Sequence, residues 1–307
     1  MINAEQAKQL IIKAFEGLIF DEATHTYQIN GISYISVTTS LKSFYNDFDE
    51  FAMAQFTADK YNRENPNKLP RTAMWYRHYW KLKRNEASAK GTRVHKYAEL
   101  YPELTDPTCN QEKGVKEWFD NLDKDTYEIL FMEKQMFCHK LKKAGTADLL
   151  LFNKKTGNIV IADWKTNNTS LLQVYDKKKL KKPFNKLYDN SLNKYKLQLS
   201  TYQAMIENNT TLKIEDRWII WLKEGNWNQL DEGKNETKYI IEQINPSVET
   251  TYYKQYNVES YAKEINLYEE KFNKVVKKKF KKPSKIKSLF AKPVKIKKIP
   301  KLIKSKK

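Results

Sequence analysis

Apolar residues recur along the chain in two rhythms. Leu10, Ile11, Ala14, Phe15 and Leu18 follow the three-and-four spacing of a helix and predict one over residues 5–19. In THTYQINGISYISVTTSL, polar and apolar residues alternate on either side of Asn30-Gly31. That dipeptide favours positive φ at both turn positions and predicts a tight hairpin over residues 25–37. The stretch 39–100 contains one glycine, Gly91, and reads as several helices interrupted by a loop at NRENPNKLP, 62–70. A further helix fits 111–122.

The texture then changes to strand-sized blocks, YEILFMEKQMFC, TADLLLF and NIVIADWK, the last two joined by a turn at Thr156-Gly157. Residues 167–193 are polar and basic and read as a loop or insertion. NKYKLQLSTYQAMIEN at 193–208 returns to helical period, with Tyr195, Leu199, Tyr202 and Ile206 on one stripe. DRWIIWL and TKYIIEQI read as strands, and 256–279 as a helix. The pattern predicts an α/β domain in which a central mixed sheet is flanked by helices, with a helical insertion over about 44–90.

Charge changes this picture at one end. The formal net charge is +19, but residues 274–307 hold 16 lysines and no acid, leaving +3 for residues 1–273. The division is therefore a domain over 1–272 and a Lys-rich tail over 273–307, expected to be disordered alone. The longest apolar runs, LLLF and WIIWL, are strand-sized, so no membrane span is expected. The N-terminal segment reads as an amphipathic helix and not as a secretory leader. Cys109 and Cys138 make neither a disulfide framework nor a four-thiolate iron–sulfur site, which points to the cytoplasm, or the host cytoplasm if the source is viral.

Candidate chemistry gathers in IVIADWK. On a strand, Asp163 and Lys165 share a face while Trp164 points the other way, and a hairpin turning at Thr156-Gly157 brings Asp148 opposite them. Two close carboxylates are relieved by a divalent cation of the Mg²⁺ or Mn²⁺ kind, and an adjacent lysine suits phosphodiester hydrolysis. The plainer reading, a surface hairpin with ordinary salt bridges, fits the motif alone equally well. In KGTRVHKYAEL, His95 and Glu99 lie one helical turn apart, and Gly91 leaves room for another group to approach.

Taken in order, GTRVHKYAE at 91–99, GTADLLLF at 145–152, IVIADWKT at 159–166 and YKLQLSTYQAMIE at 195–207 resemble the PD-(D/E)XK nuclease superfamily, specifically its RecB-like branch in the phage type without an iron–sulfur cluster. The resemblance implies a restriction-endonuclease-like core. It implies metal ligation by His95, Asp148 and Asp163, and a catalytic Lys165. Gln198 and Tyr202 match the Q-x-x-x-Y helix motif that supports the site and contacts DNA. Glu99 and Glu133 are supporting candidates beside the metal, and Glu133 reads equally as an edge-strand charge facing water.

The implied activity is Mg²⁺- or Mn²⁺-dependent DNA hydrolysis, by an exonuclease of phage or mobile-element replication, recombination or repair. A structure-specific endonuclease and an inactive DNA-binding or assembly protein share the same motifs. No Walker-type motif is present, so any helicase partner is a separate chain, as is any recombinase or single-strand-annealing protein. Lys177, Lys178, Lys179, Lys181 and Lys182 in the basic loop, and Lys277, Lys278 and Lys279 in the tail, are candidates for phosphate contact. WYRHYWKLKR at 75–84 interleaves aromatics with cations, a pattern of base stacking or, more commonly, of a helix packed on the core. His25, His78 and His139 read as structural.

Overall fold

Asn3 starts the first helix by a reciprocal cap, its side chain accepting the Gln6 N–H while the Gln6 side chain accepts its own. The structure, a computed structural model, describes residues 2–21, 24, 26–101, 106–175, 177–225, 239–241 and 244–281. Helix α1 spans Ala4–Ala14, shorter than the expected 5–19. Gly17 takes φ +80° and turns the chain into strand β1, Ile19–Asp21. The hairpin forms as expected, β2 (Thr26–Ile29) against β3 (Ile32–Ser36), with Asn30 and Gly31 both at positive φ.

Helix α2 (Val37–Leu41) and a 3₁₀ turn lead to α3 (Glu50–Glu64) and α4 (Ala73–Leu100). The expected insertion over 44–90 has no boundary at its end, because α4 runs unbroken through it to His95 and beyond. Helix α5 is Asn110–Asn121, and three long strands follow: β4 (Tyr127–Cys138), β5 (Lys143–Asn153) and β6 (Ile159–Lys165). The basic segment contains a short strand, β7 (Gln173–Tyr175), before α6 (Ser191–Asn209) and β8 (Ile214–Leu222). The chain ends through β9 (Tyr239–Ile241), β10 (Val248–Glu249), β11 (Tyr253–Asn257) and α7 (Ala262–Lys281). The expected helix over 256–279 is thus strand at its start. The end of α7 crosses the expected start of the tail, and residues 282–307 lie outside the described residues.

The sheet is mixed and open, ordered β1-β2-β3-β5-β6-β8-β11-β10, with β4 paired to β5. The β3–β5 and β6–β8 pairs are parallel and the rest antiparallel. Side chains alternate between two cores. Ile159, Ile161, Ile219 and Trp221 face α1, α2 and α6; Val160, Ala162, Trp164, Trp218 and Ile220 face α4 and α5. Burial on both faces explains why LLLF and IVIA read as continuous apolar runs.

One detail of the pairing positions the site. Strand β4 runs along the whole of β5, so β3 and β6 must share the opposite edge. They take its two ends, β3 at Lys143–Ala144 and β6 at Leu149–Phe152. Residues 145–148 lie in the gap where β3 and β6 part.

Candidate metal centre

Gly145 opens the gap. A Cβ there would meet Cε1 of Tyr202 at 2.9 Å and Cγ2 of Val37 at 3.2 Å, so α6 and α2 close over β5 only because this residue has no side chain. At the next residue, Thr146 Oγ1 and the Tyr27 hydroxyl share a hydrogen bond of 3.2 Å. Asp148 then projects toward the end of β6, and its Oδ2 accepts the Trp164 N–H at 2.8 Å.

Strand β6 splits its last residues between the two faces, as the alternation requires. Trp164 is locked edge-on against Trp118, ring centroids 5.1 Å apart. On the other face Asp163 is completely buried and ion-paired with Lys165. Helix α6 supports this pair from three positions a turn apart. The Tyr195 ring lies 4.4 Å from Lys165 Nζ, and Gln198 Nε2 donates to Asp163 Oδ1 at 3.4 Å and to the Tyr202 hydroxyl at 3.3 Å. Tyr195 in turn donates to Asn167 Oδ1 at 2.9 Å.

Helix α4 and strand β4 complete the centre. Gly91 passes close to β6, where a Cβ would stand 3.3 Å from Thr166 Oγ1. One turn later His95 Nδ1 lies 3.5 Å from both Glu133 Oε1 and Asp148 Oδ2. Glu133 sits in mid-strand at φ +49°, a left-handed conformation that strains a side chain and recurs at functional sites. One ligand atom each from His95, Glu133 and Asp148 lies within 4.8 Å of the others, a set able to hold a metal ion. One imidazole and two carboxylates suit a divalent cation, and the imidazole favours Mn²⁺ over Mg²⁺. Two of the trio, His95 and Glu133, line an open groove of about 690 Å³ with Phe20, Thr92 and Glu99.

The charges explain one another. Burial, and then the neighbouring Asp148, lifts the Asp163 carboxyl to about 7 against the pull of Lys165. Burial works against the Lys165 charge, but Asp163 and Asp148 outweigh it and raise its pKa, so the group stays an ammonium. Burial also opposes charge on His95, yet Asp148 and Glu133 raise it to about 9.

The sequence candidates therefore divide. His95, Asp148, Asp163, Lys165, Gln198 and Tyr202 converge, and Asp163 serves the lysine while Glu133 stands in the metal-capable trio. Glu99 lines the groove and pairs with Lys96 at 2.8 Å, outside the trio. Tyr195 carried no assigned role in the sequence, although its place on the Tyr202 stripe, one turn before Gln198, marks it. Lys177, Lys178, Lys179, Lys181 and Lys182 are exposed; Lys181 pairs with Asp47 at 3.1 Å. Lys277, Lys278 and Lys279 lie on α7, where nothing is described of their side chains, and His25 lies outside the described residues. His139 Nδ1 bonds the Tyr34 hydroxyl. Cys109 and Cys138 pack on opposite faces of the sheet.

No protein-family model matches the chain, and no curated protein matches it. The centre's own geometry therefore carries the chemical reading. Among the described residues, no helix is long and apolar enough to cross a membrane.

Proposed function

We propose that the chain is a divalent-metal-dependent nuclease hydrolysing DNA phosphodiester bonds, of the PD-(D/E)XK superfamily and its RecB-like branch, acting most naturally as an exonuclease of phage or mobile-element DNA. The observation that carries this reading is a buried lysine ammonium, paired with Asp163 and acted on by Asp148, beside a trio able to hold a metal, two of whose members, His95 and Glu133, line an open groove.

His95, Glu133 and Asp148 would hold Mn²⁺ or Mg²⁺. When bound, such an ion neutralises phosphate charge and makes water a better nucleophile at neutral pH. The reaction forms a bond from water oxygen to phosphorus as the bond to the leaving sugar oxygen breaks, and that oxygen takes up a proton. Lys165 keeps its own proton and donates hydrogen bonds to the phosphate oxygens or to the attacking water, stabilising charge as it develops. Asp163 fixes the ammonium, and Gln198 and Tyr202 fix Asp163. The Lys165 ammonium, with the ion once bound, would give the site affinity for a polyanion. Partners in this reading are DNA and a separate recombinase, annealing protein or helicase.

The test is digestion of end-labelled linear duplex, single strand and closed circular DNA by the purified chain with Mn²⁺ or Mg²⁺. Asp148→Asn, which preserves the bond from Trp164, and EDTA serve as controls. Metal-dependent shortening of linear DNA that leaves circles intact is expected. Nicked circles mean endonuclease action, and no cleavage of any substrate sinks the proposal.

A further inference from the structure

Helix α4 is one continuous helix, and its midsection, residues 81–89, is exposed at every position. These side chains face solvent; α3 reaches them through Glu50, which pairs with Arg84 at 3.4 Å, and Lys83 pairs with Glu86 at 2.8 Å. In steps of four and three, the spacing that keeps residues on one helical face, α4 presents Arg77, Lys81, Arg84, Ser88, Gly91 and His95. Three cations, then two small residues, lead to the imidazole of the metal-capable trio. No acidic residue lies on this stripe, and Glu86 projects about 180° away around the helix.

We propose that this stripe is a track for the phosphate backbone of a nucleic-acid strand, which leaves the metal centre along α4. The proposal rests on the nuclease reading and deepens it, because it says where the substrate lies away from the scissile bond. Charge complementarity carries the choice of occupant: Lys81 makes no ion pair among the described residues. Arg77 and Arg84 share one carboxylate, Glu50 of α3, at 3.5 and 3.4 Å. Between the cations and the centre, Ser88 is exposed and small, and Gly91, close to Thr166, lines the groove.

The helix also sets a length. At 1.5 Å per residue, Arg84 and Arg77 stand about 16 and 27 Å from His95 along the axis. At about 3.4 Å per nucleotide, these distances correspond to roughly five and eight nucleotides. Strands shorter than about five nucleotides therefore gain nothing from the track.

The experiment uses the full chain in EDTA and reads fluorescence anisotropy of labelled strands of about 20 and about four nucleotides. Lys81→Glu with Arg84→Glu should weaken the long strand about tenfold or more at 0.1 M salt and lower its salt slope by at least about 1.4. The short strand should be unaffected. Glu50→Gln, which frees both arginines, should tighten the long strand about threefold. Hydrolysis of bis(p-nitrophenyl) phosphate with Mn²⁺ should be unchanged by either variant. Equal long-strand affinity in parent and charge-reversed protein overturns the track, as does weakening that is the same for both lengths. Loss of binding to an acidic peptide probe with strand binding intact assigns the stripe to a protein partner and also overturns it. If the length-dependent loss is seen but no phosphodiester is cleaved, the nuclease reading fails and the track stands.

Discussion

Glu133 and Asp148 reach the metal-capable trio from adjacent antiparallel strands, and Glu133 does so with its backbone at φ +49° while the residues on either side of it pair in normal register with β5. The left-handed conformation is a local cost borne for the position of one carboxylate, and it can be measured. In the middle of a strand, glycine is ordinarily less stable than alanine by roughly 0.5–1 kcal/mol. At position 133 the order should invert. Glu133→Gly and Glu133→Ala lose the same carboxylate, so their difference isolates the backbone. Glu133→Gly is expected to be the more stable by about 1 kcal/mol in urea unfolding, with Mn²⁺ binding lost in both. A more stable alanine variant would show that the strand carries no strain there.

The proton on His95 predicts how metal affinity depends on pH. The two carboxylates raise the imidazole to about 9, so at neutral pH the metal-free protein holds a proton where a metal would bind. Metal entry must release it. Mn²⁺ affinity should therefore rise about tenfold per pH unit between pH 6 and 8 and level off above about 9. Titration calorimetry in buffers of different ionisation enthalpy should report about one proton released per ion at pH 7. A pH-independent affinity would remove His95 from the ligand set.

Asp163 and Lys165 stabilise the fold only as a pair. Removing one partner leaves a buried charge alone, a loss of about 3–5 kcal/mol, whereas replacing both with apolar groups is nearly neutral. Asp163→Ala should be destabilised by that amount, and Asp163→Leu combined with Lys165→Met should recover most of it while remaining inactive. A double variant as unstable as the single would mean that Gln198 and Tyr202, and not the charge pair, dominate the cost.

The four motifs made most of this centre legible because each is local: a helix turn, a mid-strand stretch of β5, the end of β6 and a second helix turn. The distances between them follow from a hairpin whose turn, Thr156-Gly157, is written in the sequence. What was not legible depends on neighbours. The φ of Glu133 has no local signature, so this residue read equally as a charge facing water. Strand β11, YKQYN, lacks an alternating pattern because its polar residues find partners in the fold; Gln255 accepts the Trp118 Nε1–H at 2.8 Å. The unbroken run of α4 was hidden because its midsection, exposed at every position over residues 81–89, has no apolar period to read.

Two glycines of the motifs should respond differently to a methyl group. At Gly145 the added Cβ stands 2.9 Å from a buried ring and 3.2 Å from Val37, with neither free to retreat. Gly145→Ala should cost about 1–3 kcal/mol and disturb Tyr202, and Tyr202→Leu should restore part of the stability but not the activity. At Gly91 the closest atom is a hydroxyl at 3.3 Å, and alanine gains close to 1 kcal/mol of helix propensity. Gly91→Ala should stay within about 1 kcal/mol of the parent. Equal losses at both positions would mean that α4 approaches β6 as tightly as α6 approaches β5.

Asp189 predicts where acid stability is lost. It joins the segment before α3 to the start of α6, accepting the Asn46 backbone N–H at 2.8 Å and its side-chain amide at 2.6 Å, and pairing with Lys194 at 2.7 Å. Burial raises its pKa, but Lys194 and the Asn46 donors outweigh burial and hold it below the ordinary carboxylate value. A depressed folded-state pKa gives stability that is fully present above the unfolded value, about 3.9, and lost as pH falls through the folded value. Asp189→Asn should therefore be less stable than the parent by about 1–2 kcal/mol at pH 7, and the two should converge below about pH 3. Urea unfolding at pH 7, 5 and 3 tests this; a constant difference would place the effect of the substitution in packing and not in charge.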